Sequence, residues 1–409
     1  MARSSSTPSS TPNPSRLSRD ASRLVNLSLA LHNSGSRVED LFWESALETL
    51  LTKLMRNGQD SVIDSALEHL SQSNIGAYEV LIEQAETFSE SCRLEKDGQT
   101  YDVMLLVAPV VAWTRYSIPA PALTEKDVTS IQEQLSTHIL AKEARVAIMP
   151  QLASLDQMPR TFCETWDWMQ KLGTLALKTN QVNPTLNHEP DAVSMLADTR
   201  YIVGSVAVPK GHPIFCWQEH PGELAEGRVQ SLTNWTQGIK PVLSKLLTGC
   251  GFEIVMPDAF YVSNREADRQ IRPLSVKASI LWLSAALNIE ANQLRAIIAG
   301  CGENRIDEFR IGLTLKGQSD VIYGCLWPVY GQEEDQELLG HETPTPETSD
   351  EIAAFLKEEC GIIDIRRLPG ILTPEFCEDC GAPYFPNPSG EMVHAELPEG
   401  VETTPTHFH

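Results

Sequence analysis

The sequence predicts an α/β (α+β) protein in which a small helical N-terminal unit precedes three strand-strand-helix-strand pseudo-repeats and a C-terminal Cys/His knuckle. Three observations support this fold class. Apolar residues recur at helical spacing near the N-terminus, one order of strands and helices occurs three times, and a Cys-x-x-Cys-Gly motif follows the third copy. A chain of 409 residues is long enough for two or three domains with separate cores.

The predicted units follow one another along the chain. Their boundaries are 1–15 for a disordered tail, 16–95 for the helical unit, 96–190, 191–305 and 306–372 for the three repeats, and 373–409 for a zinc-knuckle-like tail. An acidic loop, 331–350, interrupts the third repeat and carries five glutamates. We expect this loop to be exposed, either as a plain solvated loop or as a partner-binding segment or lid.

The helical unit is predicted to contain three or four short antiparallel helices. Ser36 and Glu39 form a capping box that marks a helix start, and Asn57-Gly58 ends that helix. Apolar residues from Phe42 to Leu54 recur at helical spacing and predict one buried face. The preceding residues, 1–15, are rich in Ser, Thr and Pro and too polar to form a core, so they are predicted to be disordered.

The middle repeat shows the shared plan most clearly. It contains predicted strands at 200–208 and 213–217, a helix at 223–247 and a last strand at 252–262. The copies before and after it have their elements at 101–113, 125–142 and 145–150, and at 309–315, 321–327, 349–359 and 362–369. Further helices are predicted at 159–178, at 265–288 and at 290–300, the last of them ending at Gly300-Cys301-Gly302.

Two residue types mark equivalent places in the three copies. A tryptophan ends the second strand and a proline lies in the last strand; these residues are Trp113, Trp217 and Trp327, and Pro150, Pro257 and Pro369. Internal similarity of this kind predicts equivalent structural units. Because proline lacks an N–H, each proline is expected at a strand end, an edge or a bulge.

Composition narrows the class of protein. The net charge of −23 argues against binding to nucleic acid or anionic lipid, and no apolar run is long enough to cross a bilayer, so the sequence predicts a cytoplasmic protein. Nine cysteines, an odd number, predict reduced thiols rather than a disulfide framework. The region after residue 330 holds 18 acidic and 3 basic residues. This acidic C-terminal region is a candidate protein-binding surface, and a solvated surface is the alternative.

The sequence contains one strong chemical motif, at 377–381. Two thiolates separated by two residues and followed by glycine are typical of a zinc knuckle, because the glycine permits the tight turn that directs both sulfurs at one ion. Zinc takes four ligands, and histidines further along the chain would complete a Cys₂His₂ set. The candidate ligands are Cys377, Cys380, His394, His407 and His409. Unliganded structural cysteines and a redox pair remain alternatives, although the prolines that follow prevent the helix that a redox pair normally opens.

Other candidate sites are weaker. His212, Cys216 and His220 lie close together in the middle repeat, but Cys216 stands between Phe215 and Trp217, where a buried inert thiol is expected. The sequence contains no P-loop, no Gly-x-Ser-x-Gly elbow and no His-Glu-x-x-His motif. Nucleotide-phosphate binding and serine or zinc hydrolase chemistry therefore have no sequence support.

Four stretches of the chain carry a resemblance to a known family. They are 15–24 and 34–44 near the N-terminus, and 376–383 and 393–398 near the C-terminus. In these stretches, and over essentially its whole length, the chain resembles an uncharacterised betaproteobacterial family, domain of unknown function 2863. The resemblance implies a bacterial cytoplasmic protein and brings no activity, substrate or catalytic residue. The knuckle is also similar to half a zinc ribbon, whose second cysteine pair is missing here.

Two functional hypotheses follow from the sequence. The first is a metal-stabilised, non-catalytic interaction or regulatory protein, based on the knuckle and the acidic region. The second is an enzyme whose site lies where the α/β repeats meet. A pocket lined by His, Asp and Cys from more than one repeat would favour the enzyme, and a junction filled by Trp and Leu would favour the binding protein.

Overall fold

The computed structural model describes residues 17–114, 117–177, 197–219, 222, 224–302, 306–329 and 348–398. The predicted disordered tail and residues 331–347 of the predicted acidic loop lie outside these ranges. The helices are α1 (Arg19–His32), α2 (Arg37–Arg56), α3 (Asp60–Ser73), α4 (Ile75–Glu90), α5 (Glu125–His138), α6 (Phe162–Leu172), α7 (Leu224–Leu246), α8 (Phe260–Leu287) and α9 (Thr348–Glu358). The strands are β1 (Ser91–Lys96), β2 (Gln99–Trp113), β3 (Arg145–Ser154), β4 (Ala197–Pro209), β5 (Gly251–Ile254), β6 (Asp258–Ala259), β7 (Leu294–Cys301), β8 (Glu308–Leu315), β9 (Val321–Pro328), β10 (Asp364–Leu372), β11 (Phe385–Pro386) and β12 (Met392–Val393). The α/β class is confirmed.

The helical unit consists of α1 to α4, packed around one apolar core. The Ser36 hydroxyl accepts a hydrogen bond from the Glu39 amide at the start of α2, and α2 ends at the turn of Asn57 and Gly58, as the sequence predicts. Phe42 was predicted to be buried, but it is exposed. The buried residues of α2 all lie from Leu47 onward, so the neighbouring helices cover only the C-terminal part of that helix.

The predicted helical unit extends to residue 95, but the helices end at Glu90. Residues 91–96 form β1, which pairs with β2 across a two-residue turn. Asp97 and Gly98 in that turn both have positive φ, the backbone geometry that matches the twist of a hairpin. The strand forms because the edge of β2 supplies its backbone hydrogen-bond partners. This is a tertiary contact, which the sequence pattern of residues 91–96 does not show.

The first sheet has the order β1-β2-β4-β3, and β5 and β6 pair with β2 on the same side as β1. The predicted first and second repeats are thus parts of one sheet. Helix α5 joins β2 to β3, which run parallel and have β4 between them. Helix α7 joins β4 to β5, which also run parallel and have β2 between them. This interlocked arrangement is the split β-α-β, or ferredoxin-like, topology.

Both faces of the first sheet are covered, as the continuous apolar sequence of β2 predicts. One face packs against α5 and α7, with Trp235 and Ile239 of α7 fully buried. The other face packs against α6 and the N-terminal half of α8, with Met169 and Phe260 in the interface. Strand β2 therefore lies between two apolar cores, one on each face of the first sheet.

The second sheet has the order β10-β7-β8-β9, in which β10 runs parallel to β7 and the other pairs are antiparallel. The C-terminal half of α8 and the helix α9 cover one face, with Ile280 and Leu356 in the core. Helix α8 thus contacts both sheets. The short hairpin β11–β12 lies against β8, so it covers part of the opposite face.

Two strand predictions in the middle repeat were wrong. Residues 213–217 form a turn and the start of a short 3-10 helix, and only Phe215 makes an isolated bridge, to Leu140. The predicted strand 252–262 ends at Ile254, and α8 begins at Phe260. Ser263 stabilises this helix start, because its hydroxyl accepts a hydrogen bond from the Asp258 amide and donates one to Val107.

The helix predicted at 290–300 was also wrong. Residues 291–293 form a 3-10 turn, and Leu294–Cys301 is β7. The segment contains three alanines together with Glu290, Gln293, Leu294 and Arg295, residue types that favour helices. As a strand between β8 and β10, however, it buries all but one of its side chains and has backbone partners on both sides.

The three marker prolines lie at interruptions of strand pairing, as expected for a residue without an N–H. The pairing of β3 with β4 shifts register around Pro150, and that of β10 with β7 shifts around Pro369. Pro257 lies between β5 and β6. The second sheet has a different strand order from the first, so the equivalence of the three repeats stays a prediction. No described helix has both the length and the apolar composition of a membrane span.

Candidate metal centre

The knuckle is a tight turn that follows β10. Its base is closed by backbone hydrogen bonds from Cys377 N to Ala382 O, at 2.8 Å, and from Tyr384 N to Glu375 O, at 3.0 Å. Inside the turn the Gly381 amide donates to the Cys377 carbonyl at 2.9 Å. Gly381 has a φ of 71°, which glycine adopts without strain. The glycine after the second cysteine therefore does what the motif predicts.

The turn brings two cysteines and one histidine together. The ligand atoms of Cys377, Cys380 and His394 all lie within 4.8 Å of one another. The Cys380 sulfur is 3.3 Å from His394 Nε2. The edges of a tetrahedral zinc site are about 3.5 to 4 Å long, so this spacing is close to that of two ligands of one ion. His394 arrives from the end of β12, which makes the site depend on the β11–β12 hairpin as well as on the turn.

The Cys377 thiol differs chemically from three thiols elsewhere in the chain. Burial raises the pKa of Cys92 and Cys301 to about 11 and that of Cys360 to about 12. The pKa of Cys377 is lowered instead, because the backbone amides of Cys380 and Asp379 donate hydrogen bonds to its sulfur. A thiolate is the form that binds metal.

A buried arginine, Arg310 of β8, holds the base of the turn. Its Nη1 donates to the carbonyl oxygens of Glu375, at 2.6 Å, and Tyr384, at 2.8 Å. Its Nε donates to the Glu308 carboxylate at 2.6 Å, and its guanidinium carbon lies 4.8 Å from the centre of the Phe376 ring. Arg310 thus contacts the chain on both sides of the two cysteines.

The hairpin that carries His394 lies directly on the second sheet. Gly312 and Gly324 are cross-strand partners in β8 and β9. A Cβ at Gly312 would overlap the Pro386 carbonyl oxygen, and one at Gly324 would overlap the Phe385 ring. Two adjacent glycines therefore make the space in which β11 lies.

Comparison with protein-family models identifies one family, described as "Protein of unknown function (DUF2863)", whose model matches residues 9–408. The chain belongs to this family. Comparison with curated proteins found no match, and comparison with solved structures found none either. The family assignment agrees with the resemblance seen in the sequence and adds no activity.

In this DUF2863 protein, three of the five predicted ligands converge. His407 and His409 lie outside the described residues, so which group would take a fourth ligand position stays a prediction. With Nε2 of His394 facing Cys380, the other ring nitrogen, Nδ1, is buried and has no hydrogen-bond partner among the described residues. The rings of His394 and Tyr384 form a T-shaped contact, with the ring centres 6.3 Å apart.

The weaker candidate cluster in the middle repeat does not form a catalytic pair within the described residues. The Cys216 sulfur lies 3.4 Å from both the His138 carbonyl and the Ser231 hydroxyl. His212 lies instead 3.4 Å from the Glu143 carboxylate, and His220 is outside the described residues. The sequence predicted a buried inert thiol at Cys216, whereas the residue is only partly buried and its sulfur has hydrogen-bonding neighbours.

Sequence reasoning missed Arg310 and the two glycines. A signal was present, because Arg310 stands between Phe309 and Ile311 in a strand whose other interior residues are apolar, Gly or Thr. A charged residue in such a strand must find partners on the face that the core does not use. What could not be read from the sequence is that these partners are backbone carbonyls 65 and 74 residues further along.

Proposed function

We propose that this protein is a cytoplasmic, metal-stabilised interaction protein, without a catalytic role, whose C-terminal knuckle binds one zinc ion. The observation that carries the proposal is the convergence of the Cys377, Cys380 and His394 ligand atoms within 4.8 Å. Two sulfurs and an imidazole nitrogen are the donors that zinc prefers, and His407 or His409 would supply the fourth. A cytoplasmic setting fits, because metal-binding thiolates must stay reduced.

The geometry supports zinc over a redox role for the cysteine pair. A redox Cys-x-x-Cys pair needs one thiolate and one resolving thiol. It does not need a histidine such as His394, whose Nε2 lies 3.3 Å from the Cys380 sulfur. The motif also lies in a turn between a strand and a hairpin rather than at the start of a helix. Both features are typical of a structural metal site.

The surface around the knuckle supports an interaction role. Phe376 is 56% exposed, and its ring lies over the Arg310 guanidinium. Leu326 of β9 is the cross-strand partner of Arg310 and is 41% exposed. Glu378 and Asp379 within the turn are exposed and acidic. An exposed aromatic ring with acidic neighbours suits a protein partner with apolar and basic side chains.

The test is metal analysis of the purified full-length protein. We expect one zinc per chain after reconstitution under reducing conditions, and loss of the metal in Cys377→Ser. Cobalt substitution should give thiolate-to-metal absorption bands in the wild type and not in the variant. Since binding free energy at a small site is largely folding free energy, the residues after 372 should become more sensitive to protease in Cys377→Ser.

The matched control is Cys216→Ser, because serine can keep both hydrogen bonds of Cys216 and should leave the zinc content unchanged. His407→Ala and His409→Ala, tested singly, identify the fourth ligand. For the interaction role, partners cross-linked by the zinc-loaded wild type should be missing from Cys377→Ser and present with Cys216→Ser. A wild-type protein that stays metal-free and is indifferent to chelator contradicts the proposal, and a disulfide that cycles between Cys377 and Cys380 would establish the redox reading.

A further inference from the structure

Arg310 is a fully buried charged residue whose partners are almost all in the knuckle. Its neighbours in β8, Phe309 and Ile311, belong to the core that the second sheet forms with α8 and α9. The Arg310 side chain has an exposure of 0%. Burying a guanidinium removes its hydration, and hydrogen bonds from the protein must offset the free energy lost. Without the knuckle, Arg310 would lack most of these partners, and its burial would destabilise the fold.

Arg310 contacts the chain on both sides of the metal-binding turn. Glu375 precedes Cys377 by two residues, and Tyr384 follows Cys380 by four. One nitrogen, Nη1, donates to the carbonyl oxygens of both. The Phe376 ring, immediately before Cys377, lies over the guanidinium. Arg310 therefore fixes the position of the chain just before and just after the turn relative to β8.

His394 reaches the site from a different part of the tail. The β11–β12 hairpin that leads to it lies against Gly312 and Gly324 on the same sheet. The two sulfurs and the imidazole can meet only if the turn and the hairpin keep a fixed relative position. Both are positioned by β8, the turn through Arg310 and the hairpin through Gly312, which is two residues away on the same strand.

We propose that Arg310 is the positioning residue of the metal site and that metal binding and the packing of β8 are therefore energetically coupled. This inference rests on the proposed zinc site. Coupling between two sites is reciprocal, so a change that loosens Arg310 weakens metal binding, and metal binding stabilises β8. Residues outside the ligand set that orient metal ligands typically change metal affinity about 10- to 100-fold when they are replaced.

The first test is the zinc affinity of full-length Arg310→Lys, measured by competition with a chromogenic chelator. Lysine keeps the positive charge beside Glu308, but its single ammonium group lacks the planar fork of arginine. We expect zinc affinity to fall by a factor of about 10 or more. The matched control is Arg366→Lys, because Arg366 of β10 is exposed and donates to one tail carbonyl, that of Pro388. This control should change zinc affinity by less than about threefold.

The measurement separates positioning from a merely structural role. If Arg310 only supports the sheet, Arg310→Lys lowers the unfolding temperature of the zinc-free protein and leaves zinc affinity unchanged, which would overturn the proposal. If the wild type binds zinc and the variant binds it equally well, the metal site stands and the positioning role fails. If the wild type itself binds no zinc, the proposed function fails first.

A second measurement needs no variant and covers the case in which Arg310→Lys does not fold. Amide hydrogen exchange of the wild-type protein is compared with and without zinc. We expect zinc to slow exchange in β8, residues 308–315, as well as in the knuckle, and to leave β4 of the first sheet unchanged as an internal reference. Protection confined to residues 375–394 would show that the metal site and β8 are not coupled.

Discussion

Glu90, the last residue of α4, is a partly buried carboxylic acid near the junction of α4, α6 and α8. Its carboxylate accepts a hydrogen bond from the Tyr261 amide, in the first turn of α8, at 3.0 Å. The Tyr261 hydroxyl in turn contacts Ser89 of α4 and Thr165 of α6. Burial raises the pKa of Glu90 to about 7 from its ordinary value of 4.5, despite the Tyr261 amide and the nearby Arg265, which lower it. This carboxyl is one place where the helical unit contacts α8.

The raised pKa of Glu90 predicts a stability change between about pH 4.5 and pH 7. In this window the folded state keeps a proton that the unfolded state has lost, so the free energy of unfolding falls as pH rises. The change should be on the order of 1 to 3 kcal/mol. Urea denaturation of Glu90→Gln as a function of pH should show this part of the pH dependence removed, and the variant should be more stable than the wild type at pH 8.

Glu83→Gln is the control for this prediction, because Glu83 is an exposed carboxylate on the same helix. It should leave the pH profile of unfolding unchanged. A profile that is identical in wild type and Glu90→Gln would show that Glu90 titrates alike in the folded and unfolded states.

At the scale of elements, Asn387 and two glycines of the second sheet determine where the β11–β12 hairpin lies. Asn387 is buried, and its side-chain oxygen accepts from the amides of Ser389 and Glu391, which closes the turn of the hairpin. The hairpin then lies in the space left by Gly312 and Gly324. A two-stranded hairpin is marginal in water, so its position depends on this close contact with the sheet.

Gly312→Ala should therefore displace the hairpin. The new Cβ would overlap a backbone oxygen, that of Pro386, which cannot move without the chain. Overpacking of this kind costs about 1 to 3 kcal/mol. We expect faster proteolysis within residues 373–398 and a lower free energy of unfolding for the second sheet. Gly35→Ala, where an added Cβ meets no atom within 4 Å, is the control and should behave as the wild type.

The elements that the sequence predicted well are those with a local signal. The helix of the middle repeat, predicted at 223–247, is α7 at Leu224–Leu246, and the helix of the third, predicted at 349–359, is α9 at Thr348–Glu358. Caps, helical spacing and glycine stops lie within the segment itself. The strands β1 and β7 were missed because their partners, β2 for one and β8 and β10 for the other, are supplied by the fold.

At the scale of the whole molecule, α8 connects the two sheets. Phe260 and Ala267 in its N-terminal half lie in the core under the first sheet, and Val276 and Leu283 in its C-terminal half lie in the core of the second. Arg272, near the middle, donates to the carbonyl of Pro328 at the end of β9. The two sheets therefore share one helix rather than forming two unconnected cores.

Deletion of residues 1–15 should leave this assembly intact. The segment is polar and has no large apolar side chain apart from Met1, so its removal should change the free energy of unfolding by less than about 0.5 kcal/mol. Deletion of residues 1–28 is the contrasting variant, because it also removes the buried Leu24 and Leu27 of α1. Thermal unfolding of the two truncated proteins measures the difference. A melting temperature lowered by several degrees in the shorter deletion would contradict the prediction.

The sequence by itself determined the fold class, most helices, the apolar character of β2 and the Cys377/Cys380 pair, because each of these has a signal in residues close along the chain or in a motif with fixed chemistry. The fold decided that His394 lies beside this pair. Tertiary structure decided the rest. The predicted repeats 1 and 2 became one interlocked sheet, since strands find partners across the fold and not along the sequence. Arg310 acquired its role for the same physical reason: the carbonyls that compensate its buried charge come from a segment more than 60 residues away.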